Sequence, residues 1–253
     1  MPSDMLKKLD AYYKENGILS TSFTCEYKEN CKSNCTSFTG PKSTFVSSGY
    51  EKNQLPRLLF LSLDSGSGEK IDEKRLSQAV REQEEDITKF ENMKKNKHWY
   101  LTHELAWYIL HKFDKNKIKD IKNTRNYFAH ANSAKCCMNN KQRSKADARL
   151  FRNCKQYLQG ELNILSPDII ITQGNEAREA ISSLRNKTVE SIDDYASVIK
   201  INNRPIFWLH TYHPNCFGKF YAQRRDFDKK NVRTKGWEKY SDLIYEFIKN
   251  KRI

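Results

Sequence analysis

Short apolar runs alternate along this chain with longer stretches that favour helices. The apolar runs predict buried strands at 57–63, 126–135, 168–173 and 205–210. Helical spacing or a charged, helix-forming composition predicts helices at 4–16, 71–96, 98–113, 144–164, from about Asn175, and at 235–250. Strands that alternate with helices in this way pack as a parallel sheet with helices on both faces.

We therefore predict an α/β fold, a three-layer α/β/α sandwich around a central, mainly parallel four-stranded sheet. We expect a single domain over residues 1–253. Residues 20–53 are rich in Ser, Thr, Lys, Asn and Cys and show little periodicity. We expect these residues to form a loop region that needs an external organiser, and a metal would serve.

Polar segments follow three of the four predicted strands, with the sequences DSGSG, TQGNE and TYHPN. Because functional sites in parallel sheets lie at the carboxyl ends of the strands, we expect these segments to meet in one site.

Charge narrows the range of partners. The chain has 253 residues and a formal net charge of +14, which favours a polyanionic partner such as nucleic acid over a merely lysine-rich surface. No run of about 18 apolar residues occurs, so we expect no membrane span. The N-terminal segment is polar and lacks the apolar core of a signal peptide, so we expect a cytoplasmic location.

Six of the seven cysteines fall into two groups, Cys25, Cys31 and Cys35 near the N-terminus and Cys136, Cys137 and Cys154 in mid-chain. In a reducing compartment, clustered cysteines bind metal more often than they form disulfides. The candidates are an iron–sulfur cluster, a structural zinc with four thiolates, or no metal at all.

Several segments in a fixed order resemble the uracil-DNA glycosylase superfamily, especially its iron–sulfur branch. That superfamily ends a strand in a motif such as GEAPG or GQDPY, and here SLDSG stands at 62–66. Its later TNVVKC-like segment, cysteine-bearing helix and final HPS resemble ANSAKC at 131–136, Cys154 and TYHPN at 211–215.

The resemblance implies a [4Fe-4S] cluster held by Cys31, Cys35, Cys136 and Cys154, with Cys25 as a reserve ligand and structural zinc as the alternative cofactor. The chain departs from the pattern in its N-terminal Cys-x3-Cys spacing, where the branch has Cys-x2-Cys. SLDSG also lacks the usual leading glycine and the proline. A long segment separates Asp64 from Asn132, so about 70–115 is interpreted as a charged helical insertion.

The resemblance also implies a catalytic set. Asp64 would orient water or stabilise the sugar cation, Asn132 would bind the base edge, and His213 would donate to the departing base. Each has a purely structural alternative: a turn-forming Asp, a strand-end Asn and a turn-capping His.

DNA contacts are predicted around these residues. Backbone N–H groups of Ser65, Gly66 and Ser67 would hold a phosphate, and the HPN turn would bring Asn215 to the DNA. Phe217 stands where the superfamily wedges the base stack. Basic residues after it suit phosphates or form a solvated loop, namely Lys219, Arg224 and Arg225.

The predicted function is a monofunctional DNA glycosylase, acting as a monomer on DNA. Gly66, where family 1 of the superfamily carries Tyr, leaves the C5 side of a pyrimidine open, and family 4 also has Gly there. The Asp at the third motif position and the mid-chain insertion add to this observation. We therefore favour a bulky C5-modified cytosine of phage DNA as substrate, in antiphage defence. Uracil excision in repair and a non-catalytic iron–sulfur DNA-binding module are the alternatives.

Overall fold

The computed structural model describes residues 3–33, 37–65, 70–88, 90, 97–139, 146–225 and 236–251. Its described strands are β1 (Ser37–Thr39), β2 (Phe45–Val46), β3 (Leu58–Asp64), β4 (Phe128–Ala134), β5 (Cys137–Asn139), β6 (Ile169–Gln173), β7 (Lys187–Ser191), β8 (Ala196–Ile201) and β9 (Arg204–Thr211). Its described helices are α1 (Asp4–Glu15), α2 (Lys28–Lys32), α3 (Ser48–Glu51), α4 (Ser77–Glu85), α5 (Lys97–Leu110), α6 (Ala148–Leu165), α7 (Asn175–Leu184), α8 (Phe217–Arg225) and α9 (Gly236–Lys251).

Four parallel strands form the centre of the main sheet, in the order β4-β3-β6-β9. They are the four strands that the apolar runs predict, so the α/β class and the mainly parallel sheet are confirmed. The described sheet is wider than predicted, because β2 adds antiparallel to β4, and β8 and β7 add antiparallel beyond β9. A two-residue strand and the exposed, polar β7 carry too little apolar pattern to be predicted from the sequence.

Helices cover both faces of the sheet, which confirms the three-layer arrangement. Side chains alternate along β3, so Leu59 and Leu61 pack on one face with α1, α6 and α7. Leu58 and Phe60 pack on the other face with α5 and α9. Each face therefore has its own buried apolar core.

The charged segment at about 70–115 packs into this arrangement. Arg81 of α4 donates to the Val46 carbonyl at 2.6 Å and pairs with Glu51 at 2.8 Å. α5 places Leu105 and Ile109, both fully buried, in the core beneath the sheet. That this segment is an insertion stays a prediction.

Within 20–53 the described residues form two short strands, two short helices and one 3-10 turn. None of the helices that the structure describes has the length and apolar character needed to cross a membrane.

Candidate functional site

A pocket of about 330 Å³ lies at the carboxyl ends of the central parallel strands. Five of the residues predicted from the sequence line it: Asp64, Ser65, Asn132, His213 and Asn215. They come from β3, β4 and the turn after β9, which are distant in sequence. The fold thus brings the predicted catalytic and base-binding residues to one place.

Strand register explains how Asp64 and Asn132 come together. β3 and β4 run parallel, with Ser62 beside Asn132 and Asp64 beside Ala134. Asn132 is 8% exposed, whereas Asp64 is partly exposed.

Gly174 allows the strand ends to approach closely. Its φ of 103° is unfavourable for residues with a side chain. A Cβ atom there would lie 3.0 Å from Leu63 Cδ2 and 3.5 Å from His213 Cβ. The glycine after β6 therefore lets the SLDSG and HPN segments lie side by side.

His213 is held as a neutral imidazole. The backbone N–H of Asn215 donates to His213 Nδ1 at 3.2 Å, so the proton of the neutral ring lies on Nε2. Burial lowers the pKa of His213, and the nearby carboxylates of Asp64 and Glu176 oppose this in part. The ring can therefore act as a neutral hydrogen-bond donor.

The start of α5 adds two aromatic side chains to the pocket, His98 and Trp99. The His98 ring stacks on His213 with centroids 4.8 Å apart and planes at 26°. Its Nε2 is buried and has no hydrogen-bond partner among the described residues. Burial, aided by the charges of His213 and His103, lowers the pKa of His98 to about 3, so this ring is also neutral.

Sequence reasoning missed these two residues, because HWYLTHELAWYIL at helical spacing predicts core packing. The signal that could have found them is a histidine followed by a tryptophan, two aromatic side chains with ring N–H groups, in the first turn of an otherwise apolar helix.

A buried hydrogen-bond network supports the pocket from below. The Ser62 hydroxyl donates to Gln173 Oε1 at 2.6 Å and lies 2.8 Å from His130 Nε2. Gln173 in turn donates to Thr102 at 3.0 Å, and Thr102 donates to the carbonyl of His98 at 3.0 Å. The network joins β3, β4 and β6 to α5 and so fixes the position of His98.

The wall opposite the strand ends is charged. Lys42 and Glu84 both line the pocket, and Lys42 Nζ lies 3.8 Å from Glu84 Oε1. Both side chains are mostly buried. The buried guanidinium of Arg75 donates to Ser65 Oγ at 2.8 Å and to the Gly40 carbonyl at 2.8 Å, which ties the SLDSG segment to the loop before β2.

The remaining predicted DNA contacts are only partly described. Gly66 and Ser67 lie outside the described residues. Phe217, Arg224 and Arg225 lie in α8, but their side chains are outside the description. Lys219 is exposed on α8, with its Nζ 5.5 Å from the centroid of the Tyr212 ring.

Four cysteines meet in the core on the face of the sheet covered by α1, α6 and α7: Cys25, Cys31, Cys136 and Cys154. Burial raises the pKa of Cys136 well above its ordinary value, and charge on Cys154, Cys31 and Cys25 raises it further. Cys35, predicted as a ligand, lies outside the described residues, and Cys25 is the fourth thiol of the described group.

Polar groups point at three of these four sulfurs. Asn153 Nδ2 donates to Cys31 at 3.2 Å, and the N–H of Lys135 donates to Cys154 at 3.3 Å. The Tyr157 hydroxyl lies 3.2 Å from Cys25. Burial raises the pKa of Cys154 to about 11, so the free thiol is neutral. Hydrogen bonds to sulfur suit the thiolates of a metal centre.

The two candidate metal centres need different separations between their thiolates. One zinc needs its four sulfurs within about 4 Å of each other, since each Zn–S bond is about 2.3 Å. Among the described residues, no three His, Cys, Asp or Glu side chains are placed to bind a single ion. A four-iron cluster takes each thiolate on a different iron, so it accepts a wider separation. The four-iron cluster and the structural zinc both stay predictions for these thiols.

A family model of the uracil DNA glycosylase superfamily matches residues 77–239, more than half of the chain. The chain belongs to this superfamily. This match confirms the resemblance read from the sequence. Because the members of the superfamily are DNA glycosylases, it also implies DNA as a partner. The match includes Asn132 and His213, whereas Asp64 precedes it. Membership of the iron–sulfur branch stays a prediction. A comparison with curated proteins gave no match.

Proposed function

We propose that this protein is a monofunctional DNA glycosylase that hydrolyses the N-glycosidic bond of a modified pyrimidine and leaves an abasic site. The observation that carries the proposal is the convergence of Asp64, Asn132 and His213 in one pocket at the ends of three parallel strands. These residues supply a carboxylate, an amide and a neutral imidazole, which are the groups that the reaction needs.

The target nucleotide first leaves the duplex and enters the pocket, because the enzyme cannot reach the bond inside the base stack. The buried Asn132 amide offers a donor and an acceptor to the base edge. As the C1′–N bond breaks, its electron pair moves to the base, and the sugar becomes an oxocarbenium-like cation.

Asp64 lies where it can stabilise the sugar cation and orient the water that attacks C1′. The departing base carries negative charge on a carbonyl oxygen, and the Nε2–H of His213 donates to it. A fixed donor of this kind is worth about 10²–10³ in rate. Lys42 lines the pocket but its Nζ lies 3.8 Å from the Glu84 carboxylate, so it is an ammonium partner and not a free amine, and we expect hydrolysis without strand cleavage.

The charged wall supports a modified base over plain uracil. A carboxylate and an ammonium group, Glu84 and Lys42, line the pocket 3.8 Å from each other. Such groups suit hydroxyls on a C5 substituent, whereas an unmodified pyrimidine would leave them without a ligand contact. A bulky C5-modified cytosine of phage DNA fits this chemistry, and its excision would serve antiphage defence.

The test is base release from oligonucleotides that carry uracil, hydroxymethylcytosine or glucosyl-hydroxymethylcytosine. We expect release of the modified cytosines, and Glu84→Gln should reduce that release more than any release of uracil. Activity confined to uracil would contradict the modified-base proposal and support the repair function instead.

We also propose that Cys25, Cys31, Cys136 and Cys154 hold a [4Fe-4S] cluster. A cluster there would cross-link the N-terminal region to the end of β4 and to α6, and it would act structurally. Comparing iron content in Cys25→Ala and Cys35→Ala decides the fourth ligand. Loss of iron in Cys35→Ala alone would return the assignment to Cys35.

A further inference from the structure

A second groove, of about 780 Å³, adjoins the candidate active site. It lies between α7 and the antiparallel strands β7, β8 and β9. The strands β7 and β8 extend the sheet beyond its parallel centre, so this groove depends on the part of the sheet that the apolar pattern does not predict. No residue assigned to catalysis lines it.

Aromatic rings form much of the groove. Trp208 and His210 of β9 are buried in its floor, at 5% and 3% exposure. Tyr195 and Tyr212 are partly exposed, and their hydroxyls lie 3.4 Å apart. Partly exposed tyrosine rings offer flat faces on which nucleobases stack.

Three exposed cations line the same groove: Arg178, Arg185 and Lys219. Among the described residues, none of the three takes part in an ion pair. Arg185 instead lies over the Trp208 ring at 5.8 Å, and Lys219 lies over Tyr212. Their positive charges are therefore available to a ligand.

The acidic residues of the groove oppose this charge only weakly. Asp193 accepts hydrogen bonds from the N–H groups of Tyr195 and Ala196, at 2.9 and 2.8 Å. It also accepts from the Tyr240 hydroxyl at 2.8 Å and pairs with Lys239 at 3.2 Å. Asp194 is the second acid in the lining. Three cations thus face one carboxylate that is already paired and one further carboxylate.

The groove and the candidate active site are lined by neighbouring residues of one fixed turn. Tyr212 lines the groove and immediately precedes His213, which lines the pocket. Gln223 accepts from the Tyr212 N–H at 2.8 Å and donates to the His210 carbonyl at 2.8 Å, so this turn is braced by α8. A strand that places one nucleotide in the pocket would lead directly into the groove.

We propose that this groove binds a single-stranded segment of DNA that flanks the extruded nucleotide. The phosphates would contact Arg178, Arg185 and Lys219, and one base would stack on Tyr195 or Tyr212. The inference rests on the proposed action on DNA, but its test measures binding and does not need base release.

The test is fluorescence anisotropy with single-stranded DNA that carries no modified base. A short oligonucleotide that spans only the pocket is compared with ones extended on the 5′ side or on the 3′ side. Extension on one side should tighten binding by about tenfold for the wild-type protein. In Arg178→Glu/Arg185→Glu this gain should disappear, and the slope of log affinity against log salt should fall by roughly 1.4.

Lys7→Glu/Lys14→Glu on α1 removes as much positive charge from two exposed positions that do not line the groove, and it is the matched control. Because Arg185 packs on Trp208, Arg178→Ala/Lys219→Ala is a second variant, and melting curves check that each variant folds. Equal loss of affinity in the control, or unchanged length dependence in both groove variants, would overturn the proposal.

Base release separates this inference from the proposed function. Arg178→Glu/Arg185→Glu should still release base from the short oligonucleotide. Groove binding without base release from any substrate would contradict the proposed glycosylase activity but not the proposed role of the groove. Tighter binding of RNA than of DNA in the groove would contradict the choice of DNA.

Discussion

The cysteine group lies in the core on the face of the sheet covered by α1, α6 and α7, the candidate active site lies at the carboxyl ends of the strands, and β4 contributes to both. His130 and Asn132 of β4 line an open pocket, whereas Cys136, two residues beyond the strand, lies in an apolar core. The pocket contains neutral imidazoles and charged side chains that a substrate can reach. The cysteine group is closed, and its hydrogen bonds point at sulfur. The difference teaches that one strand can serve chemistry and stability separately.

The largest expected effect is a loss of stability when the cysteine group is changed, which a change in the pocket should not cause. We expect Cys154→Ala to abolish the visible absorbance and the iron content of the purified protein. It should also lower the free energy of unfolding by about 4 kcal/mol, or the melting temperature by roughly 10 °C.

Cys137→Ala is the matched control, because Cys137 is buried beside the proposed ligand Cys136 but is absent from the cysteine group. It should keep the iron. Iron retained in Cys154→Ala would contradict the proposed ligand set.

In the pocket, a substitution should lower the rate of base release and leave the stability of the fold unchanged. We expect His213→Ala to lower base release by about 10²–10³, because the departing base loses its neutral donor. DNA affinity and iron content should stay near wild type, as measured by anisotropy and metal analysis. A rate within a factor of a few of wild type would remove His213 from the mechanism.

His98 sharpens the description of the pocket. Removing a stacked ring should misplace His213, so we expect His98→Ala to lower base release by about tenfold. His98→Phe keeps the ring and removes the nitrogens. Full recovery with Phe would show that stacking alone matters, whereas no recovery would show that the ring nitrogens are needed.

These predictions depend unequally on what the sequence shows. Three of the four parallel strands are apolar runs, and Asp64 and His213 stand in polar segments that follow two of them. Asn132 lies within β4, and the family resemblance is what singles out all three residues. His98 and Trp99 reach the site only through the packing of α5, which no local pattern reports. Cys25 was a reserve ligand because spacing in sequence does not give distance in space. The β7–β8 strands were missed because β7 is polar and exposed.

The smallest expected effect concerns pH. Burial lowers the pKa of His103 and of His210 to about 4, from an ordinary value of 6.5. As the pH falls, these two histidines therefore take up protons at a higher pH in the unfolded chain than in the folded protein. Stability should be full above pH 6.5 and decrease toward pH 4, by up to about 1.4 kcal/mol per pH unit for each imidazole.

Urea unfolding at several pH values measures this slope. His210→Gln should flatten it by the share of one imidazole, and an unchanged slope would contradict the lowered pKa of His210.

The most direct test of the proposed chemistry measures abasic sites formed by the wild-type protein and by Asp64→Asn on oligonucleotides with a glucosylated or hydroxymethylated cytosine. We predict that the wild-type protein forms abasic sites without strand cleavage. Asp64→Asn should lower the rate at least about 10²-fold while DNA affinity is retained. A wild-type protein that binds DNA and releases no base, or an Asp64→Asn variant as fast as wild type, would contradict the assignment of Asp64, Asn132 and His213 as a glycosylase site.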